Sequence, residues 1–140
     1  MNLHMLEVEN KYMETVDELF LKYPALYLGQ PFEGDYSGMN SYEAKFVNIL
    51  LERDLIVFRE PLIEDVDCIP DFFIYNPRSC TGKLVEITLM PKNGKGKNGF
   101  KTKMRKARQS ESLANSGIPY VVLYREHLEK VREYCCLDLF

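Results

Sequence analysis

A mixed α/β fold, with a four-stranded sheet flanked by helices and an N-terminal helical extension, is predicted by three features of the 140-residue chain. Short apolar, β-branched runs bounded by Pro or Gly recur after residue 54. Stretches with helical period lie before, between and after them. One such stretch separates the third run from the fourth, the place of a crossover helix in a partly parallel sheet. Hydrophobic residues at 46% and charged residues at 28% give a globular balance, and the length suits one domain.

Taken in order, residues 5–22 read as an amphipathic helix, with Met13, Val16 and Phe20 on one face and Pro24 as its stop. Residues 24–40 carry two Pro and three Gly and read as a loop or irregular arm. Residues 1–39 therefore form a helix and arm added to a core over 40–140, within a single domain. Asn40-Ser41-Tyr42-Glu43 is a helix start, with Asn40 as cap and Glu43 completing a box-like pattern. The helix runs to Arg53 and sets Glu43, Val47 and Leu50 on one face. Strands are predicted over 55–60, 69–75 and 83–89, punctuated by Pro61, Asn76-Pro77, Gly82 and Pro91. A Gly- and Lys-rich loop over 91–99 leads to a helix over 100–116, with Gly117 as its stop. A strand over 118–124 and a short helix over 126–136 complete an α-β-β-β-α-β-α order from Asn40 onward.

No stretch approaches the roughly 20 apolar residues of a membrane span. The N-terminal residues lack a basic region followed by an apolar run, so no signal peptide is expected, and the expected location is the cytoplasm. Cys68, Cys80, Cys135 and Cys136 include no C-x-x-C pair, and His4 and His127 are the only histidines, which argues against a structural zinc site. The vicinal Cys135-Cys136 pair reads as small apolar residues in a terminal helix.

The net charge of −3 hides an asymmetry. Eight basic residues and no acid lie between Lys92 and Arg108: Lys92, Lys95, Lys97, Lys101, Lys103, Arg105, Lys106 and Arg108. The rest of the chain is strongly acidic. A run of this kind is either a solvated helix face or a phosphate-contacting segment, and its lack of interruption favours nucleic acid.

Two carboxylates stand out in the strands. Asp71 follows Pro70 at the start of the second, and Glu86 lies in the third among Leu84, Val85, Ile87 and Leu89. An acid in so apolar a strand needs a partner, a proton or a ligand. Asp71 could be an ordinary strand-start acid, Glu86 could pair with Lys83 or a helix lysine, and Glu43 could be only a cap. Acids on adjacent strands can instead share a hard divalent cation through oxygen. With a basic helix nearby, these are the parts needed to hydrolyse a phosphodiester.

Pro70-Asp71, then Glu86-Ile87-Thr88, within an αβββαβ order, resembles the PD-(D/E)xK nuclease superfamily over roughly residues 40–130. The Tyr-Glu-Ala helix start, the Ile-Pro-Asp-Phe strand and the Gly-Ile-Pro-Tyr-Val-Val strand are most similar to its small intron-homing and mismatch-repair-like endonucleases. The resemblance implies a PD-(D/E)xK-type core and assigns Asp71 and Glu86 to a Mg²⁺ or Mn²⁺ ion, with Glu43 assisting from the first core helix. It departs from the pattern at Thr88, which stands where the motif has lysine. In some members that lysine has migrated to the following helix, where this chain offers Lys103 and Lys106, with Gln109 as a further polar group. Lys92, Lys95, Lys97, Lys101, Arg105 and Arg108 are left to contact the nucleic acid.

The function expected from these residues is a metal-dependent DNA endonuclease acting on double-stranded DNA, as a homodimer or within a larger DNA-processing assembly. A catalytically silent DNA-binding or assembly subunit with the same fold is the alternative. An acidic DNA mimic is disfavoured by the basic segment.

Overall fold

The computed structural model describes residues 17–88, 111–113 and 115–130. Its order is β1 (Leu26–Tyr27), α1 (Ser41–Glu52), β2 (Ile56–Arg59), β3 (Leu62–Ile63), β4 (Phe72–Asn76), β5 (Thr81–Thr88), β6 (Tyr120–Tyr124) and α2 (Arg125–Glu129). Residues 17–22, 111–113 and 115 are also helical. The main sheet is mixed, with strand order β2-β4-β5-β6: β2, β4 and β5 are antiparallel neighbours, and β6 pairs parallel to β5.

Each strand of this sheet is apolar on both faces, as a strand covered on both sides must be. On one face Val57, Phe72, Ile74, Val85 and Leu123 pack with Phe46, Val47, Ile49 and Leu50 of α1 and Leu128 of α2. On the other, Phe58, Phe73, Tyr75 and Leu84 pack with Leu19, Leu113 and Ile118. The result is a sheet between two layers, and the strict alternation of neighbours such as Phe72 and Phe73 follows from the two-residue period of a strand. Each large side chain buried this way contributes roughly 1.5–3 kcal/mol.

Local chemistry sets the element ends. Asn40 caps α1 by accepting the Glu43 N–H at 2.9 Å. The Glu43 carboxylate accepts in return from the Asn40 side-chain amide rather than from its backbone N–H, a variant of the expected box. Asp54, in the left-handed region at φ 60°, turns the chain out of α1, and the Leu55 N–H returns to the Leu50 carbonyl at 3.1 Å. Gly82 sits beside the Phe73 ring, in the space a Cβ would need.

Several boundaries differ from the sequence expectation. The strand expected from residue 69 starts at Phe72, because Pro70 offers no N–H to a ladder. The strand expected over 83–89 starts at Thr81, where the Asn76–Cys80 turn already returns the chain. The arm over 24–40 is more ordered than a loop: β1 pairs antiparallel with β3, Leu26 opposite Ile63 and Tyr27 opposite Leu62. The Phe32 N–H donates to the Val57 carbonyl at 2.7 Å, and Phe32, Tyr36 and Met39 pack against the α1-side cluster. Two-residue strands carry no readable period, so neither β1 nor β3 is visible in the sequence pattern. Most of the helix expected over 100–116 and the end of the helix expected over 126–136, with Cys135 and Cys136, lie outside the described residues. No helix among the described residues is long and apolar enough to cross a membrane.

Candidate functional site

Asp71 stands one residue before β4. Phe72 pairs with Val85, so the same register carried one step further sets Asp71 opposite Glu86. The carboxylate of Asp71 turns to the neighbouring strand and accepts the Ile87 N–H at Oδ2, at 2.6 Å. The ladder position opposite Ile87 belongs to Pro70, and the side chain of Asp71 takes up the N–H there. A charged acceptor on a backbone N–H makes a stronger bond than a neutral one. On its other side, the Asp71 carbonyl accepts the Glu60 N–H at 2.9 Å. Asp71 is thus tied to both neighbouring strands.

Glu86 is half-buried in β5, opposite Val122 of β6. By strand alternation it shares a face with Leu84 and Thr88, while Lys83, Val85 and Ile87 take the other. Lys83 therefore points away from Glu86, which sets aside the Lys83–Glu86 pairing that the sequence left open. Thr88 is buried, 7% exposed. Leu113, from the described end of the helical segment before β6, packs into the cluster that Leu84 joins. Leu113 therefore meets the sheet on the Glu86 and Thr88 face.

Glu43 is half-buried on the first turn of α1. Burial pushes its carboxyl above the ordinary glutamate range, and the negative charge of Asp71 adds to that rise. The hydrogen bonds with Asn40 and the charge of Arg59 work the other way. Glu43 and Asp71 are therefore close enough for each charge to act on the other. Glu86 lies opposite Asp71 in the ladder register, but by alternation on the sheet face away from α1.

These carboxylates supply hard oxygen donors. Among the described residues no group of three or more His, Cys, Asp or Glu side chains is placed to hold a metal ion. Asp71 and Glu86 are a pair of carboxylates in register on adjacent strands. The expected lysine replacements Lys103 and Lys106, the neighbouring Gln109, and the expected phosphate contacts Lys92, Lys95, Lys97, Lys101, Arg105 and Arg108 lie outside the described residues.

One charged residue near the site is not apparent from the motif. Arg59 ends β2, opposite Phe72, and is half-buried. Its Nη1 donates to the carbonyl of Ser37 at 3.0 Å and reaches that of Asp35 at 3.5 Å. The signal was available: Arg59 is the first charge in the run Leu55-Ile-Val-Phe-Arg, an apolar strand where a cation needs a reason. Compared with family models, curated proteins and solved structures, the chain matches none.

Proposed function

We propose that the protein is a Mg²⁺- or Mn²⁺-dependent endonuclease that hydrolyses phosphodiester bonds in double-stranded DNA on a PD-(D/E)xK-type core. The observation that carries this reading is the juxtaposition of Asp71 and Glu86 on adjacent strands, with Glu43 in the electrostatic field of Asp71. Asp71 and Glu86 would hold the ion. When bound, a divalent cation lowers the pKa of a water and offsets charge on the phosphate.

The chain's own residues have separate tasks. The Ile87 N–H fixes the orientation of the Asp71 carboxylate, so a ligand oxygen is held in place before anything binds. Glu43, raised in pKa beside Asp71, is suited to accept and hold a proton near the site. Lys103 or Lys106 supplies the positive charge that Thr88 lacks, and the remaining bases of the 92–108 segment contact backbone phosphates.

The burial of Thr88 favours a second reading, since a short, buried hydroxyl at the lysine position suits a silent DNA-binding subunit with the same core. Nicking of supercoiled plasmid separates the two. The enzyme nicks with Mg²⁺ or Mn²⁺, stops with EDTA, and loses activity in Glu86→Ala. A wild-type protein that binds duplex but leaves the plasmid intact in both metals is the silent subunit.

A further inference from the structure

Arg59 lies in a cleft of about 450 Å³ between the arm and β2, shared with Gln30, Pro31, Phe32, Glu33 and Asp35. We infer that its guanidinium binds a phosphodiester group of the nucleic-acid strand, on the sheet face that α1 and the arm cover. This rests on the nuclease reading for the identity of the ligand and adds a cation that the motif does not contain.

The position follows from the sheet. Arg59 pairs with Phe72, and the next residue, Glu60, bonds to the Asp71 carbonyl, so Arg59 is one ladder step from Asp71. By alternation its side chain leaves the sheet on the same face as Val57, the face that α1 and the arm cover. The arm backbone then cradles it. Nη1 meets the Ser37 and Asp35 carbonyls, and a Cβ at Gly38, whose φ of 79° suits glycine, would come within 3.6 Å of Nη2.

A guanidinium among carboxylates usually pairs with one of them. Among the described residues Arg59 is in no ion pair; its hydrogen-bond partners are backbone carbonyls. The charge of Arg59 acts on Asp35 and Glu43, while the hydrogen bonds of the nearby acids go to other groups. Asp35 Oδ1 accepts from the Ser37 hydroxyl and N–H, Glu43 bonds with Asn40, and Asp71 takes the Ile87 N–H. Glu33, exposed on the cleft wall, is the remaining acid there. Arginine stays charged at any working pH, and its planar fork matches two phosphate oxygens. Among the described residues, the direct bonds of this permanent, half-buried positive charge are to backbone carbonyls of the arm.

The test compares Arg59→Gln and Arg59→Lys with wild type for binding of a 20-base-pair duplex at several salt concentrations, with melting temperatures recorded for all three. With one phosphate fewer neutralised, the slope of log K against log salt falls by about 0.9 in Arg59→Gln, while Arg59→Lys keeps its charge and its slope. Inorganic phosphate, matched in ionic strength to chloride, should not displace the duplex from wild type. An unchanged slope in Arg59→Gln overturns the inference. Equal loss in both variants with lowered melting temperatures marks Arg59 as a peg for the arm and overturns it too. Displacement by phosphate that vanishes in Arg59→Gln assigns the cleft to free phosphate instead of a strand. Failure of the nuclease reading looks different: an Arg59-dependent slope with no cleavage removes the enzyme and keeps the phosphate site. Normal cleavage and binding by Arg59→Gln removes the phosphate site and keeps the enzyme.

Discussion

The Asp71 carboxylate holds the Ile87 N–H at 2.6 Å, so the acid of one strand is anchored on the residue that follows the acid of the next. The bond joins the end of β4 to β5 where regular pairing stops, and sets Asp71 beside Glu86 at a fixed distance along the sheet.

Asp71→Asn and Asp71→Ala should therefore separate structure from chemistry. Asparagine retains an oxygen for the Ile87 N–H and loses the charge, while alanine loses both. Removing a hydrogen bond to a charged group costs about 1.5–3 kcal/mol, so urea unfolding should place alanine below asparagine. Both should lose metal-dependent nicking, and Glu86→Ala should lose it with little change in the unfolding midpoint. Full nicking by Asp71→Asn would remove Asp71 from the metal site.

Glu43 predicts a dependence of stability on pH. Its carboxyl is raised in the folded protein, so the folded state binds that proton more tightly than the unfolded chain does. The resulting stabilisation is complete below the ordinary glutamate value and is lost as pH rises through the folded value. Glu43→Gln is neutral at every pH and still offers an oxygen to the Asn40 amide. It should be more stable than wild type at pH 7, with the gap closing toward pH 4. A gap that does not change with pH would show that the Glu43 carboxyl is not raised in the folded protein.

Gly82→Ala tests the second layer of the core. The added methyl would enter the Phe73 ring, which already packs edge-on to Tyr23 at 5.7 Å and tilted against Phe58 at 6.3 Å. Overpacking of this kind costs roughly 1–3 kcal/mol. Urea denaturation reads it directly, and Gly82→Ala combined with Phe73→Leu should recover part of the loss.

The basic segment carries two separable predictions in one set of variants. Neutralising Lys101, Lys103, Arg105 and Arg108 together should weaken duplex binding and flatten its salt dependence by about one unit of slope for each phosphate left without its cation. Lys103→Ala or Lys106→Ala alone should slow cleavage on the order of a hundredfold with much smaller loss of affinity, and the two should differ. Normal cleavage by both would end the migrated-lysine idea.

The sheet and α1 were legible because their residues repeat with the right period. Val47 and Leu50 point into the core from α1, and the alternation of Phe72, Phe73, Ile74 and Tyr75 reports a strand covered on two sides. The cap at Asn40 was legible because its chemistry is local. β1 and β3 were not, since pairing between Leu26 and Ile63 depends on where the folded sheet brings the arm. Asp71 and Glu86 could be singled out as unusual acids, but the Ile87 N–H that orients Asp71 belongs to another strand and leaves no mark in the residues around it. Arg59 stands out as a charge at the end of an apolar strand, but its partners, carbonyls of the arm, leave no mark in the sequence.

The parallel seam between β5 and β6 has a kinetic consequence. Phe72 and Val85 meet across a short turn, whereas Leu84 must find Tyr120 across the whole crossover. Loop-closure entropy penalises the second encounter more, and distant pairings form late. The β2-β4-β5 meander, with both acids on it, should assemble first, and β6 should dock last. Folding-rate measurements on Ile74→Val and Leu123→Ala would read this order, the first slowing folding and the second chiefly hastening unfolding. The segment between β5 and β6 carries eight of the 18 basic residues, so the acids of the meander would be in place before the closing of that basic stretch is completed by the docking of β6.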